Sequence, residues 1–251
     1  MTLTLTTDPD PSPDPDPGPS PSPNPNQAHG SFNWSSGAAR GNHENLILSR
    51  CPRLASRFAA EFERLWLDLD PAPPPAPPPA AAAVPSAPAV GVAAAEATEV
   101  LFFPEARGAR GAHVARLCGE LEAARRTLDV AMFTLTHDGM ADVLLAQHRR
   151  GCRVRVLTDG RQAKCTGADA QRLREAGIAV RLDSSFYAFH HKFAIVDERT
   201  LLNGSFNWTA QAACGNHESV VIFRGAGELT ASFTAQFERM WSLFAPAAAS
   251  G

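Results

Sequence analysis

The chain is poor in the features that mark several common protein classes. Its 251 residues include five cysteines, at positions 51, 118, 152, 165 and 214, and none form a CxxC pair. An odd, scattered set argues against a disulfide framework or a zinc ribbon and favours a reducing compartment. No run of about twenty apolar residues occurs, so no transmembrane anchor is predicted. The nearest stretch, 80–95, is interrupted by two prolines.

A strong excess of basic charge is also missing. The formal net charge is −3; residues 1–98 carry five Lys/Arg against ten Asp/Glu, and residues 99–251 carry eighteen against sixteen. A dedicated nucleic-acid binder usually has a strongly basic face, which this balance does not predict. The first ten residues, MTLTLTTDPD, lack the basic region of a signal or transit peptide. We therefore expect an intracellular protein and leave the organelle open.

Proline, in contrast, is abundant and concentrated in two tracts, 8–26 and 71–79. Each proline fixes φ and lacks an N–H, so neither tract can form a helix or a central strand. Both tracts are typical of extended, solvated spacers. We predict a disordered segment over 1–29 and a Pro/Ala linker over 70–97, which leaves residues 98–245 as the main domain.

Within 98–245, short apolar runs alternate with amphipathic stretches of about ten residues. The pattern predicts strands at 99–104, 128–135, 152–159, 178–183, 190–197 and 218–223, and helices at 111–126, 140–149, 168–176 and 228–244. Strands separated by such helices imply a sheet covered on both faces. The predicted fold class is α/β.

The richest chemistry lies in the predicted strand 190–197, HHKFAIVD. Because strand side chains alternate, His190 and Lys192 point to one face and His191 to the other. A histidine beside a lysine suits a phosphate, since the imidazole can attack phosphorus and the ammonium can neutralise equatorial oxygens. We expect His191 to pack or to face solvent rather than to act in catalysis.

Further candidate residues follow at fixed distances. Ser205 and Asn207 lie in the turn GSFNW and both offer hydrogen bonds to the same oxyanion. Glu218 begins the next strand and is predicted to bind the second nitrogen of the His190 ring, which would fix its tautomer. Asp197 completes the pattern HxKx₄D and joins the candidate set, although its position on the strand predicts that it secures a turn through backbone N–H groups.

These residues resemble the HKD signature (His-x-Lys-x₄-Asp) of the phospholipase D superfamily. Residues 99–244 are similar to its single-HKD branch, which contains mitochondrial cardiolipin hydrolase and the endoribonuclease Zucchini. The resemblance implies a mixed β-sheet sandwiched between helices. It also implies a homodimer, because each site needs two HKD motifs and this chain has one. Two features of the animal members are not found in this sequence: the anchor before the first strand and a Cys/His zinc insertion.

The resemblance further implies a mechanism. His190 of one subunit would attack the phosphodiester to form a phosphohistidine, and His190 of the other would protonate the leaving alcohol and then activate water. Lys192 and Asn207 would hold the phosphoryl oxygens, supported by Ser205 and Glu218. No cofactor and no metal is implied, and a mitochondrial association would rest on the resemblance alone.

Three functions stay open on the sequence. The first is a phosphodiesterase acting on a cardiolipin-like phospholipid, favoured by the near-neutral domain and by an aromatic entrance at Phe186, Tyr187 and Phe189. The second is an endonuclease for single-stranded nucleic acid, with a groove lined by Arg149, Arg150 and Arg161 and aromatic side chains that stack bases. The third is a binding protein with a lapsed site, which the intact motif disfavours.

An internal repeat is the most unusual feature of the chain. With an offset of 174 residues, 30–48 aligns with 204–222. After a one-residue gap, 53–66 (RLASRFAAEFERLW) aligns with 228–241 (ELTASFTAQFERMW). The first copy lacks the histidine and lysine that precede the second. It could be the remnant of a tandem domain, an appendage that packs on the main domain, or a substitute for the authentic strand and helix in a swapped arrangement. We expect residues 30–69 to be mobile or loosely docked, since so small a unit buries little apolar surface.

Overall fold

An eight-stranded mixed sheet organises the main domain. The structure, a computed structural model, describes residues 2–6, 27–69, 98–105 and 111–246. The strands in chain order are β4 (Thr98–Phe103), β5 (Thr127–Met132), β6 (Arg153–Asp159), β7 (Ala179–Asp183), β8 (Lys192–Val196), β9 (Thr200–Gly204), β10 (Glu218–Arg224) and β11 (Ala245–Pro246). Their order across the sheet is β11-β7-β6-β5-β8-β9-β10-β4. Strands β5, β6 and β7 are parallel, and the other pairings are antiparallel.

Helices connect these strands and cover the sheet. They are α3 (Ala112–Glu122), α4 (Asp138–Arg149), α5 (Ala170–Glu175), α6 (Ala210–Cys214) and α7 (Gly227–Leu243), with a 3₁₀ turn at Gln162–Lys164. Alternate residues of one strand belong to different cores: on β8, Ala194 packs with the residues of α3 and α4, whereas Phe193 and Ile195 pack with those of α7. Both faces of the sheet are therefore covered, and the predicted fold class is confirmed.

Most elements of the main domain match the sequence pattern within a few residues. The strand β9 and the short helix α6 were not predicted. Strand β9 is only five residues long and is joined to β8 by a tight hairpin in which Asp197 and Glu198 both have positive φ. The sequence there, DERT, carries none of the glycine or asparagine that usually mark such turns.

The amino-terminal part of the chain forms a second sheet of three strands. It contains β1 (Thr2–Thr6), β2 (Gln27–Gly30) and β3 (Asn45–Ser49) in the order β1-β3-β2, with helices α1 (Ser36–Arg40) and α2 (Pro52–Leu69). Two pieces of the range 1–29 are thus strands, where the sequence predicted disorder. The tracts 8–26 and 71–79 lie outside the described residues, so their predicted character stays a prediction.

The first copy of the repeat folds like the second. Gly30 pairs with Leu46 on β2–β3, and Gly204 pairs with Val220 on β9–β10, which are equivalent positions. A Cβ at either glycine would collide with the carbonyl oxygen of the facing strand, and this explains the glycine of GSFNW. The authentic β10 and α7 keep their places in the main domain, so the swapped arrangement is wrong.

Candidate active site

The ends of five strands meet along one edge of the main sheet. Because β8 and β9 are antiparallel, the first residue of β8, Lys192, lies beside the last residue of β9, Gly204. Strand β10 is antiparallel to β9, so its first residue, Glu218, lies at the same edge. Met132, the last residue of β5, pairs with Lys192, and β6 ends alongside at Asp159. The chain thus gathers Lys192, the GSFNW turn and Glu218 at one place, while Asp197 lies beyond the opposite end of β8.

The His190 ring is held by the first copy of the repeat. Its Nδ1 lies 3.0 Å from Oε2 of Glu44 and 3.1 Å from the carbonyl oxygen of Ser31. Both neighbours can only accept, so Nδ1 carries the proton and donates. In the neutral ring the lone pair then resides on Nε2, the nitrogen on the opposite side of the ring. This is the tautomer that a nucleophilic imidazole requires.

Glu44 is itself tightly held. Ser31 Oγ donates to its Oε2 at 2.8 Å and Asn42 Nδ2 donates to its Oε1 at 3.1 Å, and the carboxylate is fully buried. The expectation that Glu218 binds His190 is wrong within this chain. Glu218 accepts from Asn216 Nδ2 at 3.1 Å, and no imidazole nitrogen of the described residues lies within hydrogen-bond distance of it. Glu44 is its equivalent in the repeat and takes that role.

Lys192 is buried and contacts the backbone of His190. Its Nζ donates to the carbonyl oxygen of His190 at 2.7 Å and lies 5.2 Å from the centre of the Phe133 ring. Burial lowers the pKa of Lys192 to about 7, although the carboxylates of Glu44 and Glu218 oppose the shift. At neutral pH the side chain therefore exists in both charged and neutral forms.

The two polar residues of the GSFNW turn are fixed by backbone contacts. Ser205 Oγ accepts from the N–H of Ser219 at 3.0 Å, and Asn207 Oδ1 accepts from the N–H of Thr134 at 3.3 Å. The second contact directs the amide oxygen of Asn207 at the backbone and leaves its NH₂ as the donating group. The equivalent contact is present in the first copy of the repeat, where Ser31 Oγ accepts from the N–H of Asn45 at 3.0 Å.

Two predictions about the neighbours of the motif are confirmed. Asp197 secures a turn, because its carboxylate accepts from the backbone N–H groups of Arg125, Arg126 and Thr127 at 2.7 to 2.9 Å. These bonds lower the pKa of Asp197, against the opposing effect of its burial. Asp197 lies beyond the end of β8 opposite to Lys192, so the structure does not bring it to the other residues of the candidate catalytic set. His191 is fully buried and packs edge-on against Phe189 and Phe193.

Three residues of the site were missed from the sequence. Phe133 packs edge-on against the His190 ring, with ring centres 4.9 Å apart. Asp159 Oδ2 accepts from the N–H of Phe189 at 3.1 Å and so anchors the segment that leads into the motif. The sequence gives only a partial signal for Glu44: the alignment of 30–48 with 204–222 makes it the counterpart of Glu218, but does not say which of the two carboxylates meets His190.

The structure separates residues that the sequence grouped as a groove or an entrance. Arg149 and Arg150 precede the start of β6, whereas Arg161 follows its end. The two ends of this seven-residue strand are roughly 20 Å apart. Phe189 is fully buried and does not line an entrance, whereas Phe186 and Tyr187 are exposed. Only Arg161 and these two aromatic residues stay near the site edge.

Neither a metal cluster nor a membrane span is found in the described ranges. Across 2–6, 27–69, 98–105 and 111–246, no group of three or more His, Cys, Asp or Glu side chains is placed to hold a metal ion. Within the same residues, every helix is too short or too polar to cross a bilayer.

Comparisons with known proteins show the family of the chain. A family profile described as "Cardiolipin synthase, PLD-like domain" matches residues 117–241. A mitochondrial cardiolipin hydrolase of Chlamydomonas reinhardtii is 41% identical over 175 residues, which cover 62% of this chain and 78% of that protein. The chain belongs to the phospholipase D-like family of phosphodiester hydrolases. The human mitochondrial cardiolipin hydrolase is 42% identical over 133 residues, and this chain spans 52% of its length.

Solved structures show the same fold. The phospholipase D family member Nuc of Salmonella typhimurium superimposes with a TM-score of 0.56 and 25% identity, over 61% of this chain and 98% of that one. NucT of Helicobacter pylori gives a TM-score of 0.55 at 18% identity, over 60% of this chain and 98% of that one. The resemblance inferred from the motifs is confirmed by both kinds of comparison.

Proposed function

We propose that the chain hydrolyses phosphodiesters through a covalent phosphohistidine on His190. The observation that carries this proposal is the hydrogen bond from Nδ1 of His190 to Glu44, which leaves Nε2 of the neutral ring unprotonated, in a residue whose carbonyl binds the buried Lys192. An imidazole oriented by a carboxylate is an activated nucleophile. The ammonium of Lys192 and the amide of Asn207 would stabilise the charge that develops on the phosphoryl oxygens.

The proposed reaction has two displacement steps. In the first, Nε2 forms a bond to phosphorus while the bond from phosphorus to the leaving oxygen breaks, and that oxygen takes a proton from a general acid. In the second, water loses a proton to the same group and attacks phosphorus, which releases the phosphomonoester and the free imidazole. We assign the general acid to the His190 ring of a second copy of the chain, as the family resemblance implies.

A phospholipid of cardiolipin type is the substrate that we favour. The relatives of algal and human origin are named cardiolipin hydrolases. Phe186 and Tyr187 are exposed near the site edge, and such apolar side chains suit contact with a lipid surface better than contact with a polyanion. Because those relatives are named mitochondrial, we also propose a mitochondrial association.

Single-stranded nucleic acid is the second candidate substrate. One observation favours it: Arg161 follows the end of β6 with a largely exposed side chain, where it could contact a phosphate next to the scissile one. Tyr187 could stack a base nearby. The distance of Arg149 and Arg150 from this edge weakens the case, because one cation neutralises little of a nucleic-acid backbone.

The test compares two substrates with one matched variant. The full-length chain is incubated with vesicles containing cardiolipin and with a labelled single-stranded oligonucleotide, each beside His190→Asn and each with and without EDTA. We expect turnover of the lipid, loss of at least about 1,000-fold in His190→Asn, and no effect of the chelator. Cleavage of the oligonucleotide alone would show that the chain is a nuclease and not a lipid hydrolase. Full activity in His190→Asn would rule out His190 as the nucleophile.

A further inference from the structure

The surface around His190 is occupied by a segment that the chain carries twice. Residues 42–45 lie along residues 188–191: the N–H of His43 donates to the carbonyl of Ala188 at 2.9 Å, and the N–H of His190 donates to the carbonyl of His43 at 2.9 Å. Asn42 Oδ1 also accepts from the N–H of Ala188 at 3.1 Å. The docked residues Gly41–Glu44 read Gly-Asn-His-Glu, as do Gly215–Glu218 of the main domain.

We propose that the amino-terminal repeat, residues 27–69, occupies in cis the place that Gly215–Glu218 of a second copy of this chain would take. Every polar contact that Asn42, His43 and Glu44 make with residues 188–190 can be made by Asn216, His217 and Glu218 of another molecule. The repeat and a second copy therefore compete for one surface. The proposal rests on the proposed function only for its effect on activity.

The arrangement of the strands supports a pseudo-two-fold relation. Strand β2 of the repeat lies against β9, its counterpart in the main domain. Two equivalent elements that face each other are what a two-fold axis between two identical chains would produce. In such a pair Glu218 of each molecule would meet His190 of the other, whereas in this chain Glu218 meets only Asn216 among the described hydrogen bonds.

The cis segment also carries one contact that a second copy lacks. Asn45 Nδ2 lies 3.0 Å from Nδ1 of the buried His191. The equivalent residue of the main domain is Ser219, whose shorter side chain does not offer an amide there. Covalent attachment favours the cis segment further, because a tethered partner acts at an effective concentration on the order of millimolar.

The docked repeat orients His190 but supplies no second imidazole to protonate the leaving group. Residues 27–69 contain two histidines. His29 is fully buried, with its pKa lowered by burial to about 3, and the His43 ring packs against Phe189 and Phe244 with its Nε2 directed at Asp183, 3.9 Å away. The cis form is thus a resting monomer. Exchange of the repeat for a second copy brings in the second His190 and restores the two-histidine site.

The test uses a matched pair of glycines at equivalent positions. A Cβ at Gly41 would overlap the ring of Tyr187, so Gly41→Leu weakens cis docking. Gly215 occupies the same place in a second copy, so Gly215→Leu weakens the dimer. Analytical ultracentrifugation of the full chain should show that Gly41→Leu tightens dimerisation about tenfold and that Gly215→Leu loosens it by a similar factor. Activity per subunit should follow the dimer fraction.

A spectroscopic readout separates this proposal from the proposed function. Imidazole ¹⁵N shifts of His190 report its tautomer whether or not any substrate is turned over. In the monomer, Glu44→Gln should change them and Glu218→Gln should not. If the wild-type chain is a dimer in which only Glu218→Gln changes the shifts, cis docking is wrong. If the monomer is fully active and Gly41→Leu lowers activity, the repeat completes the site rather than competing for it, and the proposal is overturned.

Discussion

At the scale of residues, the site depends on one imidazole whose partners come from a distant part of the sequence. His190 and Glu44 are 146 positions apart and their side chains meet at 3.0 Å. The carboxylate accepts from Ser31, Asn42 and His190, so its buried charge is compensated by three donors. Such a network fixes both the tautomer and the direction of the ring.

The pH dependence of catalysis should report Lys192. Burial lowers its pKa to about 7, so the free enzyme loses the ammonium as the pH rises through that value. Because the charged form stabilises the phosphoryl oxygens, kcat/KM should fall about tenfold per pH unit above pH 7. Any activity that Lys192→Arg retains should lack this decline, since a guanidinium stays charged. A wild-type profile that is flat to pH 9 would contradict the assignment.

At the scale of elements, two helices of nearly identical sequence have different surroundings. In α7, Phe237 is fully buried against the sheet and stacks on Trp241. In α2, the equivalent Phe62 is 60% exposed and Trp66 is 53% exposed. Near its start α2 packs on β4, where Phe58 meets Phe102, but its second half lacks the sheet that covers the equivalent part of α7.

A matched pair of substitutions tests this difference. Phe237→Ala should lower the free energy of unfolding of the main domain by about 3–5 kcal/mol, because it leaves a cavity in a closed core. Phe62→Ala should change it by no more than about 0.5 kcal/mol, because most of that ring already faces solvent. Urea denaturation followed by circular dichroism measures both. Equal losses would mean that α2 is covered as closely as α7.

The sequence predicted the main domain well and the site in part. Alternating apolar runs located most strands because buried strands and amphipathic helices have different periods. His190 and Lys192 followed from the alternation of side chains on one strand, whereas Asp197 lies beyond the other end of β8, beside Thr127. The partner of His190 could not be predicted, because Glu44 and Glu218 sit in the same sequence, Gly-Asn-His-Glu, and only the packing of the chain chooses between them.

At the scale of the whole molecule, the amino-terminal repeat is attached more closely than its size suggested. Glu44, Asn45 and Ile47 are almost completely buried. The small apolar area of the isolated unit explains why loose docking was expected. Its hydrogen bonds to residues 188–191 supply contacts that the pattern of apolar residues does not reveal.

Amide exchange measures this attachment directly. If the repeat is docked, the N–H groups of β3 should exchange at least about 100-fold more slowly than those of an unstructured chain, because β1 and β2 flank the strand and the unit rests on the main domain. Gly41→Leu should remove much of that protection, whereas Gly215→Leu in the monomer should keep it. Unprotected amides across Asn45–Ser49 in the wild-type chain would show that the segment is loose.

The most direct test of the account is to trap the covalent intermediate. The full-length chain is mixed with substrate, quenched within milliseconds under alkaline conditions that preserve phosphohistidine, digested and analysed by mass spectrometry. The account predicts a phosphoryl adduct on the peptide that contains His190, and its absence from His190→Asn. An adduct on a different residue, or steady turnover with no adduct at any time, would contradict the account.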